Sequence, residues 1–147
     1  LLDMGMDPFN FADAVLAIMA QRLVRTLCVK CKREYHPSEA EYEELVREYD
    51  PEAFEKQVGI GYSKDLTLFK PVGCDACNHT GYRGRMGLHE LLMGTDGMKR
   101  LIQQKASMDE IRKQAIADGM TTLKQDGIEK IFSGHCDLQQ VRKVCIK

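Results

Sequence analysis

The chain has 147 residues and a formal net charge of −1, with 44% hydrophobic and 29% charged residues. These values predict one folded domain, or two small units that share a core. They exclude a surface that is basic throughout, as a general nucleic-acid binder would have. No apolar run reaches the length of a membrane span and no basic leader opens the chain, so we expect neither a transmembrane helix nor export.

Apolar spacing and capping residues predict a mostly helical chain with a few strands. Asp7-Pro8 is typical of a helix start, and apolar residues three and four apart predict a helix over residues 9–27. Capping boxes and glycine stops predict further helices at residues 39–49, 53–57, 96–105, 107–119, 122–134 and 137–147. Extended segments are expected at residues 67–72 and 85–93.

Two Cys-x-x-Cys pairs are the strongest chemical signal, at Cys28 and Cys31 and at Cys74 and Cys77. A two-residue spacer lets both sulfurs of a pair bind one ion, and two pairs complete a tetrahedral shell of four thiolates. Such a shell leaves no position open for water or substrate. We therefore predict a structural zinc ion on these four cysteines, with the acidic helix at residues 39–49 hanging between the pairs as an excursion.

Other interpretations of the cysteines stay open at this point. A dithiol redox pair, a disulfide or an iron–sulfur cluster also uses closely spaced cysteines. His36 and His79 are expected to be polar loop residues and not ligands. Gly81, Gly84 and Gly87 are expected to permit tight turns whose amides donate to thiolates, because the Walker A pattern of a phosphate loop is missing around them.

Two groups of residues outside the cysteine pairs also receive a prediction. Cys136 and Cys145 are expected to be buried structural thiols. A role between subunits is considered for five charged residues near the cysteines, namely Arg22, Arg25, Arg83, Arg85 and Glu90.

Longer runs around the cysteines carry a specific resemblance. They read AQRLVRTLC at residues 20–28, GCDACNHTGYRGRMGLHELL at residues 73–92 and GMTTLKQDG at residues 119–127. These runs, with LDMGMDPF at residues 2–9, resemble the C-terminal part of the type II secretion and type IV pilus assembly ATPases, the GspE/PilB family. The resemblance covers nearly the whole chain, and residues 34–65 are the least similar part.

The resemblance implies an α+β, mostly helical fold in three parts. Residues 1–27 would be trailing helices of a RecA-like ATPase domain, and residues 28–84 a tetracysteine zinc-binding subdomain with an acidic helical excursion. Residues 85–147 would be a strand followed by a C-terminal helical subdomain. It also implies that the zinc ligands are Cys28, Cys31, Cys74 and Cys77.

The resemblance further implies a parent protein that is a cytoplasmic hexamer at the bacterial inner membrane. The parent would hydrolyse ATP with Mg²⁺ and act on an inner-membrane platform protein to assemble pilins or pseudopilins. Partners of this chain would be the rest of the ATPase chain, neighbouring subunits and the platform protein, and not nucleic acid.

We expect the chain to be the C-terminal portion of that enzyme and not an enzyme by itself. It begins Leu1-Leu2-Asp3 without methionine, and the Walker and His-box residues would precede Leu1. It should therefore neither hydrolyse ATP nor bind it tightly. The alternative functions are a free-standing zinc-ribbon module that binds nucleic acid or protein, and a dithiol redox protein.

Overall fold

The computed structural model describes residues 17–145, which contain both helices and strands. The four strands in these residues are β1 Ala17–Leu27, β2 Arg33–Tyr35, β3 Leu68–Lys70 and β4 Tyr82–Met93. The six α-helices in the same residues are α1 Glu39–Tyr49, α2 Pro51–Gln57, α3 Asp96–Gln103, α4 Met108–Ala117, α5 Leu123–Phe132 and α6 Leu138–Val144. Strands β1 and β4 pair with each other, and β2 pairs antiparallel with β3.

The helix predicted over residues 9–27 is wrong from Ala17 onward, because this segment is strand β1. Its part before Ala17 lies outside the described residues. Within β1, Val24 and Leu27 are buried, whereas Leu23 is 53% exposed. The pairing with β4, a partner distant in sequence, overrides the helical spacing of the apolar residues.

The other predicted helices are confirmed, with small shifts at their ends. Ser38 and Asp137 cap α1 and α6, because their side chains accept hydrogen bonds from the Glu41 and Gln140 amides. Asp50 does the same for α2 and Ser107 for α4. These capping groups satisfy backbone N–H groups that have no partner inside the first helical turn. The predicted capping residues Ser38, Ser107 and Asp137 therefore located three helix starts correctly. Helix α2 begins at Pro51, two residues before its predicted start.

The chain divides into two compact units, and the larger one, in its described part, consists of residues 21–88 and 123–145. Its core is built from strand residues and from helices α1, α2, α5 and α6, including the buried Leu45, Tyr49, Leu88, Ile128 and Val141. Helix α1 is not the hanging excursion that the sequence predicted, because Leu45 and Tyr49 are only 2% and 1% exposed. Helix α1 is amphipathic: its apolar side belongs to this core, whereas Glu39 and Glu43 are exposed.

The smaller unit, in its described part, comprises residues 17–20 and 89–122. Helices α3 and α4 pack together around the buried Met98, Ile102 and Ala115. Leu92 of β4 lies partly buried against this cluster. Within residues 17–145, no helix combines the length and the apolar character needed to cross a bilayer.

Candidate metal centre

The first cysteine pair lies in the turn that follows β1. The Cys28 N–H donates to the Gly81 carbonyl at 2.9 Å, which fixes the end of the strand beside the second cysteine segment. The Cys28 carbonyl accepts from the N–H groups of Cys31 at 3.3 Å and Lys32 at 2.9 Å. This tight turn brings Cys31 back toward Cys28, as the two-residue spacer requires.

The second pair lies on a short 3₁₀ turn, Asp75–Cys77. The Cys74 carbonyl accepts from the His79 N–H at 2.8 Å, which closes the turn around the pair. Asn78 and His79 both have positive φ angles, 55° and 62°. Two consecutive left-handed residues reverse the chain in little space, so the backbone returns past the sulfurs at Gly81.

The four sulfurs converge on one point. Neighbouring sulfurs are 3.8 Å apart for Cys28 and Cys74, for Cys31 and Cys77, and for Cys74 and Cys77. All four sulfurs lie within 4.8 Å of one another. A Zn–S bond of about 2.3 Å places the ligands of a regular tetrahedron about 3.8 Å apart. The cluster therefore fits a four-thiolate zinc shell, and the same arrangement needs no His, Asp or Glu ligand.

Backbone amides point at these sulfurs. Cys77 Sγ accepts from the N–H groups of Cys74 and Gly81, each at 3.2 Å, and Cys31 Sγ accepts from the Gly73 N–H at 3.3 Å. Burial raises the pKa of the Cys77 thiol. Hydrogen bonds from the Cys74 and Gly81 amides and from the neighbouring thiols lower it by more, so the net pKa is about 6. Hydrogen bonds to a sulfur stabilise its thiolate, which is the form that binds metal.

Among the other clustered thiols, the pKa of Cys28 is also lowered, whereas that of Cys31 is raised. Burial also raises the pKa of Cys28, but the Lys30 and Cys31 amides together with the Cys74 and Cys31 thiols lower it, so the net shift is downward. In Cys31, burial and the thiols of Cys74, Cys28 and Cys77 raise the pKa to about 11, against the single Gly73 amide. Four negative charges at this spacing repel one another strongly, so a cation is needed to hold all four sulfurs as thiolates.

The two histidines near the pairs are outside the sulfur cluster, as the sequence predicted. His79 Nε2 lies 3.0 Å from Asp75 Oδ1, and both side chains are strongly exposed. His36 Nδ1 lies 3.0 Å from the Leu66 carbonyl oxygen. Among the described residues, the only cluster suited to a metal ion is the four-cysteine cluster.

The glycine prediction is confirmed at Gly81, whereas the role of Gly73 was not predicted. Gly81 has a φ angle of +86°, and its amide donates to Cys77 as expected. Gly73 has a φ angle of +111°, and a Cβ at this position would lie 2.9 Å from the His79 carbonyl oxygen. A glycine directly before a Cys-x-x-Cys pair was the available signal, because only glycine combines this conformation with so close an approach.

The five charged residues considered for an interface have varied surroundings. Arg22, Arg83 and Arg85 are exposed. Arg25 is also exposed, and its guanidinium lies 5.2 Å from the centroid of the Tyr82 ring. Within the smaller unit, Glu90 lines a pocket of about 120 Å³ beside α4.

The remaining two cysteines are buried free thiols, as expected. Cys136 is 1% exposed and Cys145 is 7% exposed. Burial, with the nearby Asp137 charge as a smaller contribution, raises the pKa of the Cys136 thiol to about 12. A thiol held in its neutral form in an apolar core behaves as a small hydrophobic side chain and is a poor nucleophile.

Comparison with known proteins identifies the family of this chain. The family model described as "Type II/IV secretion system protein" matches residues 1–143. The chain belongs to this family. The four clustered cysteines thus lie in a secretion-system protein, which agrees with the resemblance seen in the cysteine-flanking runs.

Curated relatives include proteins of both secretion and pilus assembly. The chain is 38% identical over 144 residues to the type II secretion system ATPase E of Vibrio cholerae, covering 98% of this chain and 26% of the relative. It is 40% identical over 144 residues to the type IV pilus assembly ATPase PilB of Pseudomonas aeruginosa, covering 98% of this chain and 23% of the relative. The chain therefore spans about a quarter of the length of these relatives.

Proposed function

We propose that this chain is the C-terminal zinc-binding portion of a hexameric ATPase for type II secretion or type IV pilus assembly. Its own contribution is a structural zinc site that fixes the β1 and β4 segments, together with subunit packing and partner docking. The parent hydrolyses ATP to drive assembly of pilin or pseudopilin subunits at the inner membrane. The observation that supports this most directly is the convergence of Cys28, Cys31, Cys74 and Cys77 within a secretion-family chain.

A structural role for the metal follows from the donor set. Four thiolates complete the coordination of zinc, so no position is left for a water molecule or a substrate. Zinc, when bound, supplies positive charge that holds four mutually repelling thiolates together. The surrounding amides of Gly73, Cys74 and Gly81 orient the sulfurs and offset part of the negative charge on the thiolates.

Metal analysis by mass spectrometry tests the zinc part of the proposal. We expect about one zinc per chain in protein purified without added metal, as a closed four-thiolate site implies. Cys74→Ser should abolish the zinc, whereas Cys136→Ala, which removes a thiol outside the cluster, should retain it. Iron in place of zinc, or a metal-free chain with oxidised thiols, would contradict the structural-zinc assignment and favour a redox module.

The ATPase part of the proposal needs a second experiment. Calorimetric titration of this chain with ATP and Mg²⁺ should show no tight binding, because we place the nucleotide-binding motifs in the part of the parent that precedes Leu1. Restoring that part should restore ATP hydrolysis and hexamer formation. Tight ATP binding by the chain alone would show that this assignment of the nucleotide site is wrong.

Subunit packing is assigned to the exposed arginines of β1 and β4. Arg22, Arg83 and Arg85 are exposed in this chain, so their guanidinium groups are available to carboxylates of a neighbouring subunit. In the parent protein, Arg83→Ala with Arg85→Ala should weaken hexamer formation, measured by sedimentation. Lys56→Ala, an exposed charge on α2, is the control that should leave the assembly unchanged.

A further inference from the structure

The turn between α5 and α6 is bonded to the segments that carry the cysteines. The Leu27 N–H, one residue before Cys28, donates to the His135 carbonyl at 2.8 Å. The Lys32 ammonium, one residue after Cys31, donates to the Gly134 carbonyl at 2.9 Å. Both residues that flank the first cysteine pair therefore bind carbonyl groups at the end of α5.

Lys32 is held in place for this contact. Its Nζ lies 4.4 Å from the centroid of the Phe69 ring, a distance at which the ring attracts a cation. The side chain is half-buried, so its ammonium group has exchanged part of its water for the Gly134 carbonyl and the ring. A hydrogen bond from a charged donor is stronger than one between neutral groups.

Gly134, whose carbonyl binds Lys32, packs directly against the Phe69 ring. Its φ angle is +84°, and a Cβ there would lie 2.8 Å from Phe69 Cδ2. The Gly134 N–H also donates to the Ile131 carbonyl at 3.0 Å, which closes the C-terminus of α5. The cation at Lys32 thus meets the carbonyl end of a helix, where positive charge is favourable.

The segment after the second cysteine pair binds the other side of this turn. The Tyr82 hydroxyl donates to Asp137 Oδ2 at 2.5 Å. The other oxygen of Asp137, Oδ1, accepts from the Gln140 N–H at 3.0 Å and so caps α6. The N-cap of α6 is therefore positioned by a residue five places after Cys77.

We propose that Lys32 is a positioning residue that couples metal occupancy of the cysteine cluster to the packing of helix α6. When the cysteine turns are ordered by metal, Lys32 and Leu27 hold the Gly134–His135 carbonyls, and Asp137 can cap α6. When the metal is removed, the turns loosen and α6 loses its start. This proposal rests on the proposed zinc site, and it assigns to that site a specific output in the C-terminal helix.

Hydrogen–deuterium exchange of the 147-residue chain, with zinc and after chelation, tests this coupling. In the wild-type chain, chelation should accelerate exchange of the α6 amides, whereas the α4 amides, in the other compact unit, should stay unchanged. Lys32→Met keeps an unbranched apolar side chain that is one atom shorter, and it removes the charged donor. In the zinc-loaded Lys32→Met chain, α6 should exchange about tenfold faster than in the wild type, as loss of a charged hydrogen bond implies.

Lys56→Met on α2 is the matched control, because Lys56 pairs only with Glu52 on its own helix among the described contacts. Equal α6 exchange in zinc-loaded Lys32→Met, Lys56→Met and wild type would overturn the role of Lys32. If the wild type binds zinc but its α6 exchange is the same before and after chelation, the coupling is overturned and the proposed zinc site stands. A wild-type chain that binds no zinc would overturn the proposed function as well, and metal content measured on the same samples separates these outcomes.

Discussion

The Gly81 amide donates to Cys77 Sγ at 3.2 Å, so a residue four places after the second cysteine completes the environment of its sulfur. The same glycine has no room for a side chain. A Cβ at this position would lie 2.5 Å from the Cβ of Pro71. Its φ angle of +86° is also unfavourable for any residue with a Cβ. Gly81 therefore meets three requirements at once: its amide binds the sulfur, its backbone approaches Pro71 closely, and its φ angle is positive.

Gly81→Ala should destabilise the chain and weaken its hold on zinc. We expect a loss of about 2–4 kcal/mol in unfolding free energy, from the left-handed conformation and from the overlap with Pro71. Urea unfolding and competition with a chromogenic chelator measure the two effects. Gly61→Ala is the control, because a Cβ there meets nothing within 4 Å. Equal behaviour of the two variants would show that the Gly81 contact is unimportant.

Thiol reactivity should separate the six cysteines into two classes. In the zinc-loaded chain, all six should react slowly with a thiol reagent, and chelation should release the four clustered thiols for fast reaction. After chelation, Cys136 and Cys145 should form a separate and slower phase, because the core covers them and loosening of α6 exposes them only transiently. They should react fast only when denaturant is added. The measurement is the number of thiols in each kinetic phase, and release of all six by chelator alone would contradict it.

Gln125 is a buried polar side chain with a structural purpose. It is 8% exposed, and its Nε2 donates to the Tyr49 carbonyl at 2.7 Å, which joins α5 to the end of α1. Gln125→Leu should lower the unfolding free energy by about 1–3 kcal/mol, because it removes the donor to a buried carbonyl. Urea titration measures the change. Gln139→Leu, at an exposed position of α6, should change it by only a few tenths of a kcal/mol.

Arg142 joins α6 to the acidic helix α1. Its guanidinium donates to Glu48 Oε1 at 3.2 Å and to Glu48 Oε2 at 2.9 Å, and it also binds Glu44. Because the Arg142 side chain is 50% exposed, solvent weakens the attraction. A double-mutant cycle of Arg142→Ala and Glu48→Gln should give a coupling of about 0.5–1 kcal/mol that falls with added salt. The exposed Lys56 and Glu52 pair should give a coupling near zero.

The Tyr82 hydroxyl makes stability depend on pH in the alkaline range. Burial, with the hydrogen bond to Asp137 as a further cause, raises its pKa from the ordinary 10.0 to about 12. The fold therefore favours the neutral phenol over the phenolate. This contribution is fully present below about pH 10, the ordinary tyrosine value, and it is lost as the pH rises toward the folded-state pKa.

Tyr82→Phe tests this assignment. The wild type should lose stability relative to Tyr82→Phe as the pH rises from 10.0 to about 12, the interval between the two pKa values. Urea unfolding across this interval gives the difference directly. A constant difference between the two proteins would show that the phenol titrates alike in the folded and unfolded chains.

Local chemistry in the sequence was enough to predict most helices and the two cysteine pairs that form the cluster. Ser38, Asp50, Ser107 and Asp137 cap helices by accepting hydrogen bonds from amides three residues away, so the information lies within one helical turn. The spacing of each cysteine pair likewise fixes a local turn. Only the meeting of the two pairs needed the fold, and the chemistry of zinc made that meeting predictable.

The tertiary structure decided what depends on partners far along the chain. The segment Ala17–Leu27 has apolar residues at helical spacing, but its pairing with β4 makes it a strand. Helix α1 has an acidic surface, but contacts with α5 place Leu45 and Tyr49 in the core. Lys32 and Gly134 lie 102 positions apart and meet through the packing of Phe69. No local pattern specifies such contacts, because their free energy exists only after the chain has closed the loops between them.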